Sequence, residues 1–413
     1  VARGVLIIVE NLPVPFDRRV WAEARTLRDA GYEVSVICPK GKGATEAREI
    51  LDGIHIYRHP LPFEATGAMG YLLEYSTALF WELWLAIRVY RERGFDVIQA
   101  CNPPDLIFLI GAIFKLLFGT RFIFDHHDIN PELYEAKFGH RNFLWKIVVF
   151  FERLSFWLAD VSIATNQSYR AIAIERGGMA ADRVFVVRSG PDLARIRLVP
   201  PDDAWKKGRA HMVAYIGVIG GQEGLDLLLE AAAHMRDTCG RRDVQFVIVG
   251  DGPEAANVRR LARDMQLDDI FTFTGRVDDA TFFSVLCSAE VCVNPDRPNA
   301  MNDKSTMNKI MEYMAVGKPI VQFDLTEGRY SAQDASLYAS DVKDFGDKII
   351  ALLDDPARRA AMGATGRARI EDQLAWPHEI PKLLAAYDTA LGERLTGSVA
   401  LGRATQTTPS QLS

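Results

Sequence analysis

Cysteine is scarce in these 413 residues: there are five (Cys38, Cys101, Cys239, Cys287, Cys292), with no Cys-x-x-Cys pair and no zinc-finger spacing. That excludes a disulfide framework and a sequence-local zinc module, and the expectation is reduced, mostly buried thiols in a cytoplasmic protein. A basic excess is missing as well. The formal net charge is −6, and a nucleic-acid binder needs a basic face, so no nucleic-acid partner is expected. Long apolar runs are also absent. Val5–Val9 has the length of a strand and reads as one rather than as a signal peptide.

The composition is that of a globular protein, 48% hydrophobic and 25% charged. The chain exceeds the size of one ordinary core and suits two domains. Strand and helix signals alternate from the start. Val5–Val9 is followed by a helix that Asp17 can cap, with Val20, Ala24 and Leu27 inward and Gly31 at its end, and then by a strand at Glu33–Cys38. Further strands are expected at Val97–Ala100, Phe122–Phe124 and Val161–Ala164. After Pro200-Pro201-Asp202-Asp203, read as a linker, a second series runs through Val213–Ile216, Gln245–Val249, Ile270–Thr274, Val291–Asn294, Ile320–Phe323 and Leu337–Tyr338. Repeated β-α-β order predicts an α/β protein of two Rossmann-like domains, 1–198 and 205–375, facing across a cleft. Residues 396–413 are small and polar and are expected to be disordered.

Three segments of the first half, Tyr71–Tyr90, Leu106–Phe118 and Phe143–Leu158, are rich in aromatics. Glu74, Glu82, Arg88, Lys115, Lys146, Glu152 and Arg153 interrupt them, so none offers the roughly 20 apolar residues of a spanning helix. They fit a thick core with inter-helix packing. They also fit a peripheral membrane face, with Trp81, Trp84, Trp145 and Trp157 near the headgroups and Arg88, Arg91, Arg93 and Lys146 beside them.

The most informative stretch runs from Lys309 to Val321. It reads as an amphipathic helix beginning near Ser305 and stopped at Gly317, followed by Pro319 and a buried strand. Ile310, Met311 and Met314 can face a core, while Asn308, Lys309 and Glu312 gather near the opposite face. Together with Asn294-Pro295-Asp296 and Asn302-Asp303-Lys304-Ser305-Thr306-Met307-Asn308-Lys309, it resembles the donor-site signature of the retaining glycosyltransferases of family 4, and within them a subgroup that builds bacterial surface polysaccharides. The resemblance runs from Pro15-Phe16-Asp17-Arg18-Arg19-Val20 to the last helix and is strongest over residues 294–338.

The resemblance implies the GT-B fold, with a C-terminal helix (376–395) crossing back to the first domain. It implies a nucleotide-diphospho-sugar donor on the second domain, a glycan or polyprenyl-linked acceptor on the first, and no metal or other cofactor. Glu312 would accept from the ribose hydroxyls. Met307, Asn308 and Lys309, at a helix start, would meet the diphosphate, and Arg276 and Val277 the base. Asp125-His126-His127-Asp128 resembles the family segment that places a histidine, here His127, beside the donor sugar; a neutral imidazole could orient the ring without adding charge. A metal held by these four consecutive residues is disfavoured, because they cannot easily converge on one ion. A structural role suits His126. Asp17, Arg18 and Arg19 could pair with an acceptor phosphate or simply be solvated.

The sequence also departs from the family pattern. Of the usual two glutamates separated by seven residues, the first falls on Lys304, with Asp303 adjacent as a possible stand-in. The usual Arg and Lys that neutralise the diphosphate fall on Val218 and Glu223. Lys309 and Lys304, supported by the Gly220 and Gly221 amides, are the expected substitutes, with Lys309 the principal cation. The reading is a metal-independent retaining glycosyltransferase, in the cytoplasm or at the inner face of the cell membrane. The alternatives are a GT-B epimerase or a non-catalytic nucleotide-sugar-binding partner.

Overall fold

A computed structural model describes residues 2–60 and 67–392, with side chains described outside 67–74. The expected disordered tail, the end of the predicted crossing helix beyond residue 392, and the side chains of Tyr71 and Glu74 lie outside the described residues. Two sheets organise the chain. The first holds β1 (Gly4–Val9), β2 (Glu33–Pro39), β3 (Arg48–Leu51), β4 (Ile54–His59), β5 (Val97–Cys101), β6 (Arg121–His126), β7 (Val161–Ala164) and β8 (Val184–Val186). Their order is β3-β4-β2-β1-β5-β6-β7-β8; only the β3–β4 pair is antiparallel. The second sheet holds β9 (His211–Ile216), β10 (Val244–Val249), β11 (Phe271–Gly275), β12 (Val291–Asn294), β13 (Ile320–Phe323) and β14 (Ser336–Ala339). It is parallel throughout, in the order β11-β10-β9-β12-β13-β14. In each sheet the strand order reverses beside the first strand, at β1/β5 and at β9/β12. Such switch points open crevices at the carboxyl ends of the strands.

The strands are continuous apolar runs because both faces of each sheet are covered. Asp17 caps the first helix, Arg18–Asp29, by accepting from the Arg19 and Val20 amides. Val20, Ala24 and Leu27 are buried on its inner side. The β3–β4 hairpin was not expected. It turns at Asp52-Gly53, both with positive φ (49° and 76°), the backbone that a two-residue hairpin loop requires.

The last helix, Ile380–Leu391, puts Leu383, Ala386 and Tyr387 into the core of the first lobe beside Val5, Ile7 and Val36. The chain thus crosses back, as expected. The outgoing and returning connections touch at Gly190, where a Cβ would lie 2.2 Å from the Leu374 carbonyl oxygen. The expected linker is not a free one: the Asp202 amide donates to Ser288 Oγ at 2.8 Å and Trp205 Nε1 to Ser284 Oγ at 3.0 Å, so it packs on the second lobe. No helix among the described residues is long and apolar enough to cross a membrane.

Candidate active site in the interlobe cleft

The predicted donor helix is present but begins at Asn308 rather than near Ser305, and a separate short helix precedes it. Ala300–Lys304 is capped by Asn299, and Asn308–Ala315 follows after a break at Ser305-Thr306-Met307. The break serves the opposite lobe. Asn166 Nδ2 donates to the Lys304 carbonyl at 2.8 Å and to Thr306 Oγ1 at 3.0 Å, and Arg188 donates to the same hydroxyl. Ile310, Met311, Tyr313 and Met314 are buried as the periodicity requires. The Tyr313 hydroxyl accepts from the Ile216 amide (2.9 Å) and donates to the Val293 carbonyl (3.1 Å), fastening the helix to β9 and β12. Glu312, the next residue back, is thereby held at the mouth of the switch point.

Glu312 faces the cleft and has a partner there. Arg18 Nη1, from the first lobe, donates to its Oε1 at 2.9 Å. Burial raises the Glu312 carboxyl above the usual range, against the opposing pull of Arg18 and Arg195. Arg195 and Arg18 also approach Asp279, at 3.0 and 4.0 Å.

Lys309 corrects an expectation. Its Nζ lies 2.7 Å from Asp296 Oδ1, with both side chains nearly buried, and 4.9 Å over the Tyr215 ring. Burial would lower its pKa, but Asp296 more than compensates and holds it charged. Its charge is therefore matched within the protein rather than free for a diphosphate. Beside this pair, at the carboxyl end of β12, the buried Asn294 amide nitrogen and oxygen and Asp296 Oδ2 have no hydrogen-bond partner. Buried polar groups are otherwise paired as a rule. These two residues were not singled out as site residues; the signal was the Asn-Pro-Asp run at a strand end.

The glycine loop carries a second surprise. A Cβ at Gly220 would lie 2.7 Å from Glu223 Oε2, so only a glycine lets that carboxyl close on the loop. An internal carboxylate thus lies against the loop expected to help hold phosphate. Burial raises the Glu223 pKa, opposed by Lys309. Around Gly221 the space is open. Asp303 does not stand in for the missing glutamate: its oxygens accept from the Thr326 amide (2.8 Å) and hydroxyl (3.1 Å), capping the next helix. Lys304 reaches across to Glu132 at 3.3 Å, a carboxylate already gripped by Arg176. That leaves it a bridge between lobes rather than a free phosphate cation. Asn308 is exposed at its helix start, Met307 is half-buried, and Arg276 (exposed) and Val277 (half-buried) follow β11.

In the first lobe, Arg19 is not open to an acceptor. Its guanidinium is buried among Asp125 (2.9 Å), Glu23 (3.0 Å) and the Val187 carbonyl (2.8 Å). Asp17 is occupied as the helix cap, so of the three only Arg18 presents its charge to the cleft. His127 Nε2 lies 2.7 Å from Asp125 Oδ2 and 2.9 Å from Arg19 Nε. One ring nitrogen satisfies only one of these at a time, and the protonated ring suits the carboxylate. Burial would lower the His127 pKa, but Asp125 outweighs it and raises it. The neutral imidazole expected there gives way to one biased toward the charged form. His126 is buried between Phe124, Phe156 and Tyr169, in keeping with a structural role. Glu23, Cys101, Asp125 and His127 come within 4.8 Å of one another, but the Arg19 guanidinium already supplies the cation among them.

Comparisons with known proteins bear on both lobes. Residues 17–195 match the family model described as Glycosyltransferase Family 4, and residues 210–355 match that of Glycosyl transferases group 1. The chain is 24% identical to the 2-deoxystreptamine glucosyltransferase of Streptomyces kanamyceticus, over 90% of this chain and 97% of that one. It is 25% identical to the phosphatidyl-myo-inositol mannosyltransferase of Mycolicibacterium smegmatis, over 92% of each. In fold it resembles sucrose-phosphate synthase from Thermosynechococcus elongatus (TM-score 0.76, 18% identity, 94% of this chain and 99% of that one). It also resembles Anabaena HepE, solved in complex with UDP-glucose (TM-score 0.70, 14% identity, 94% and 99%). With both lobes matched by such models and the two-sheet architecture shared, the chain belongs to the GT-B glycosyltransferases.

Proposed function

We propose that this protein transfers a sugar from a nucleotide-diphospho-sugar to a glycan or polyprenyl-linked acceptor with retention of configuration, in cell-surface polysaccharide synthesis at the inner face of the membrane. The observation that carries the reading is the Glu312 carboxylate at the switch point of the second sheet, beside the unpartnered Asn294 and Asp296 atoms. A ribose offers hydroxyl donors to the first, and a donor sugar offers polar atoms to the others. That HepE was solved with UDP-glucose supports a nucleotide-sugar in this cleft.

The chemistry follows from the groups present. Donor binding displaces Arg18 from Glu312, which then takes the ribose hydroxyls. The start of the Asn308–Ala315 helix offers unpaired amides to the diphosphate, and Arg18, once released, adds mobile positive charge as the leaving group departs. In a front-face route the departing phosphate oxygen takes the acceptor proton as the new bond forms on the same side, with no covalent intermediate. No step requires a metal.

The acceptor's class is supported by the outer face of the first lobe. Three helices packed side by side, Gly67–Glu92, Phe108–Phe118 and Phe143–Leu158, expose Trp84, Leu116, Leu117, Phe143, Phe150 and Trp157. Trp81 and Trp145 are half-buried. An apolar patch of this kind beside exposed Arg91, Lys146 and Arg153 suits a lipid surface.

The test is a panel of UDP-, GDP- and ADP-sugars read by thermal shift and by transfer to a polyprenyl-phosphate-linked acceptor. Stabilisation by one donor class and transfer with retained anomeric configuration are expected; indifference to every sugar nucleotide would sink the reading. A second reading, binding without turnover, is favoured by Glu223 against the Gly220 loop and by the Lys309–Asp296 pair. Donor binding with neither hydrolysis nor transfer would select it.

A further inference from the structure

The helix Leu225–Asp237 starts at the cleft beside Gly224 and runs back against the strands, so its last turn lies at the end of the lobe remote from the cleft. There His234 meets Cys239, whose amide donates to the His234 carbonyl just past the helix end. Asp347 joins them from the helix Val342–Leu353. Gly346 makes this approach possible: a Cβ there would lie 3.1 Å from the Ala231 carbonyl oxygen and 3.2 Å from His234 Cδ2. The three ligand atoms form a triangle. His234 Nε2 is 2.9 Å from Asp347 Oδ1, and Cys239 Sγ is 3.5 Å from the nitrogen and 3.7 Å from the oxygen.

A tetrahedral zinc ion with bonds of about 2.3 Å to sulfur and about 2.0–2.1 Å to nitrogen and oxygen requires edges of roughly 3.3 Å (N to O) and 3.5–3.6 Å (to S). The observed triangle differs from these by at most about 0.4 Å, within the reach of the exposed Cys239 and Asp347 side chains. We propose that His234, Cys239 and Asp347 form a three-ligand site for zinc or a similar thiophilic divalent metal, with the fourth position open. The mixture of thiolate, imidazole and carboxylate is a zinc donor set. Among the described residues Asp347 pairs with no lysine or arginine, in contrast to the buried Glu23–Asp125 cluster, where Arg19 is the cation. Binding exchanges the Cys239 thiol proton for the metal: the S–H bond breaks, the S–metal bond forms, and one proton enters solvent. Some desolvation and, more specifically, Asp347 hold that proton on the thiol until a cation arrives. The bound ion ties the end of one helix to the middle of the next.

Four of the five cysteines are buried and only Cys239 is exposed, so its alkylation is a selective reporter. The full-length reduced protein is titrated with Co2+ and then Zn2+, following the thiolate-to-cobalt charge-transfer band and the rate of Cys239 alkylation. The expected result is 1:1 binding, a band bleached by Zn2+, at least tenfold protection of Cys239, and loss of the band in Cys239→Ser with donor turnover unchanged. His234→Ala and Asp347→Ala should each weaken binding at least tenfold. No band, no protection, or a band that survives Cys239→Ser would overturn the proposal.

Discussion

Arg18 and Glu312, 294 positions apart, are joined across the cleft by a 2.9 Å hydrogen bond. Arg18 stands at the first turn of a helix in one lobe, and Glu312 is the carboxylate assigned to the ribose in the other. The pair therefore competes with the donor. A partly exposed ion pair contributes about 0.2–1 kcal/mol, so Arg18→Ala should tighten binding of the nucleoside diphosphate by up to about fivefold in calorimetry. Turnover should fall, because the mobile cation is gone. Weaker nucleotide binding in this variant would mean that Arg18 contacts the donor directly and that the competition is unimportant.

Lys309 and Asp296 are a different kind of pair, because both are buried and the second is already short of one partner. Removing one member strands a charge, which costs about 3–5 kcal/mol. Lys309→Ala should thus lose stability by that order in urea unfolding. Adding Asp296→Asn should restore part of it without restoring transfer. Full stability in Lys309→Ala would show that the ion pair is not formed in solution.

The sheets were legible because buried parallel strands are continuous apolar runs, and every strand expected in the second lobe is present. The β3–β4 hairpin escaped because its strands are short and lie at the sheet's edge, although Asp52-Gly53 was there to be read. Glu312 was legible through its motif. Its partner Arg18 was not, because ion pairing between lobes leaves no local trace. The pairing of Lys309 was hidden for the same reason: a helix-start lysine looks available for phosphate until the fold places Asp296, 13 residues earlier, against it. Glu223 looked like a mere loss of positive charge, whereas in the fold its carboxyl folds back against the loop at Gly220.

The apolar face predicts its own test. Leu116 and Trp157 are 84% and 77% exposed, so replacing them leaves the core intact and should shift stability by no more than about 0.5 kcal/mol. Leu116→Glu combined with Trp157→Glu should lower flotation with anionic liposomes at least tenfold. Transfer to a lipid-linked acceptor in vesicles should fall while donor binding in solution stays the same. Unchanged flotation would assign the face to something other than lipid.

Asp105 predicts a pH dependence whose sign can be fixed. It is buried, accepts from Asn102 Nδ2 (2.9 Å) and Asn130 Nδ2 (2.8 Å), and its pKa is pushed up to about 6, chiefly by burial. The folded state therefore keeps this proton over a window, from about pH 4 to 6, in which the unfolded chain has released it. In that window the folded protein binds more protons, so stability falls as pH rises. A shift of about two units corresponds to about 3 kcal/mol lost by the top of the window. Asp105→Asn keeps the shape of the side chain and one acceptor but cannot ionise. Its unfolding free energy, measured in urea between pH 4 and 7, should fall less steeply than that of the wild type by most of one proton, about 1.1 kcal/mol per pH unit at mid-window. Parallel profiles would mean that Asp105 titrates alike in the folded and unfolded chains, and that its two asparagine partners offset the whole cost of burying the charge.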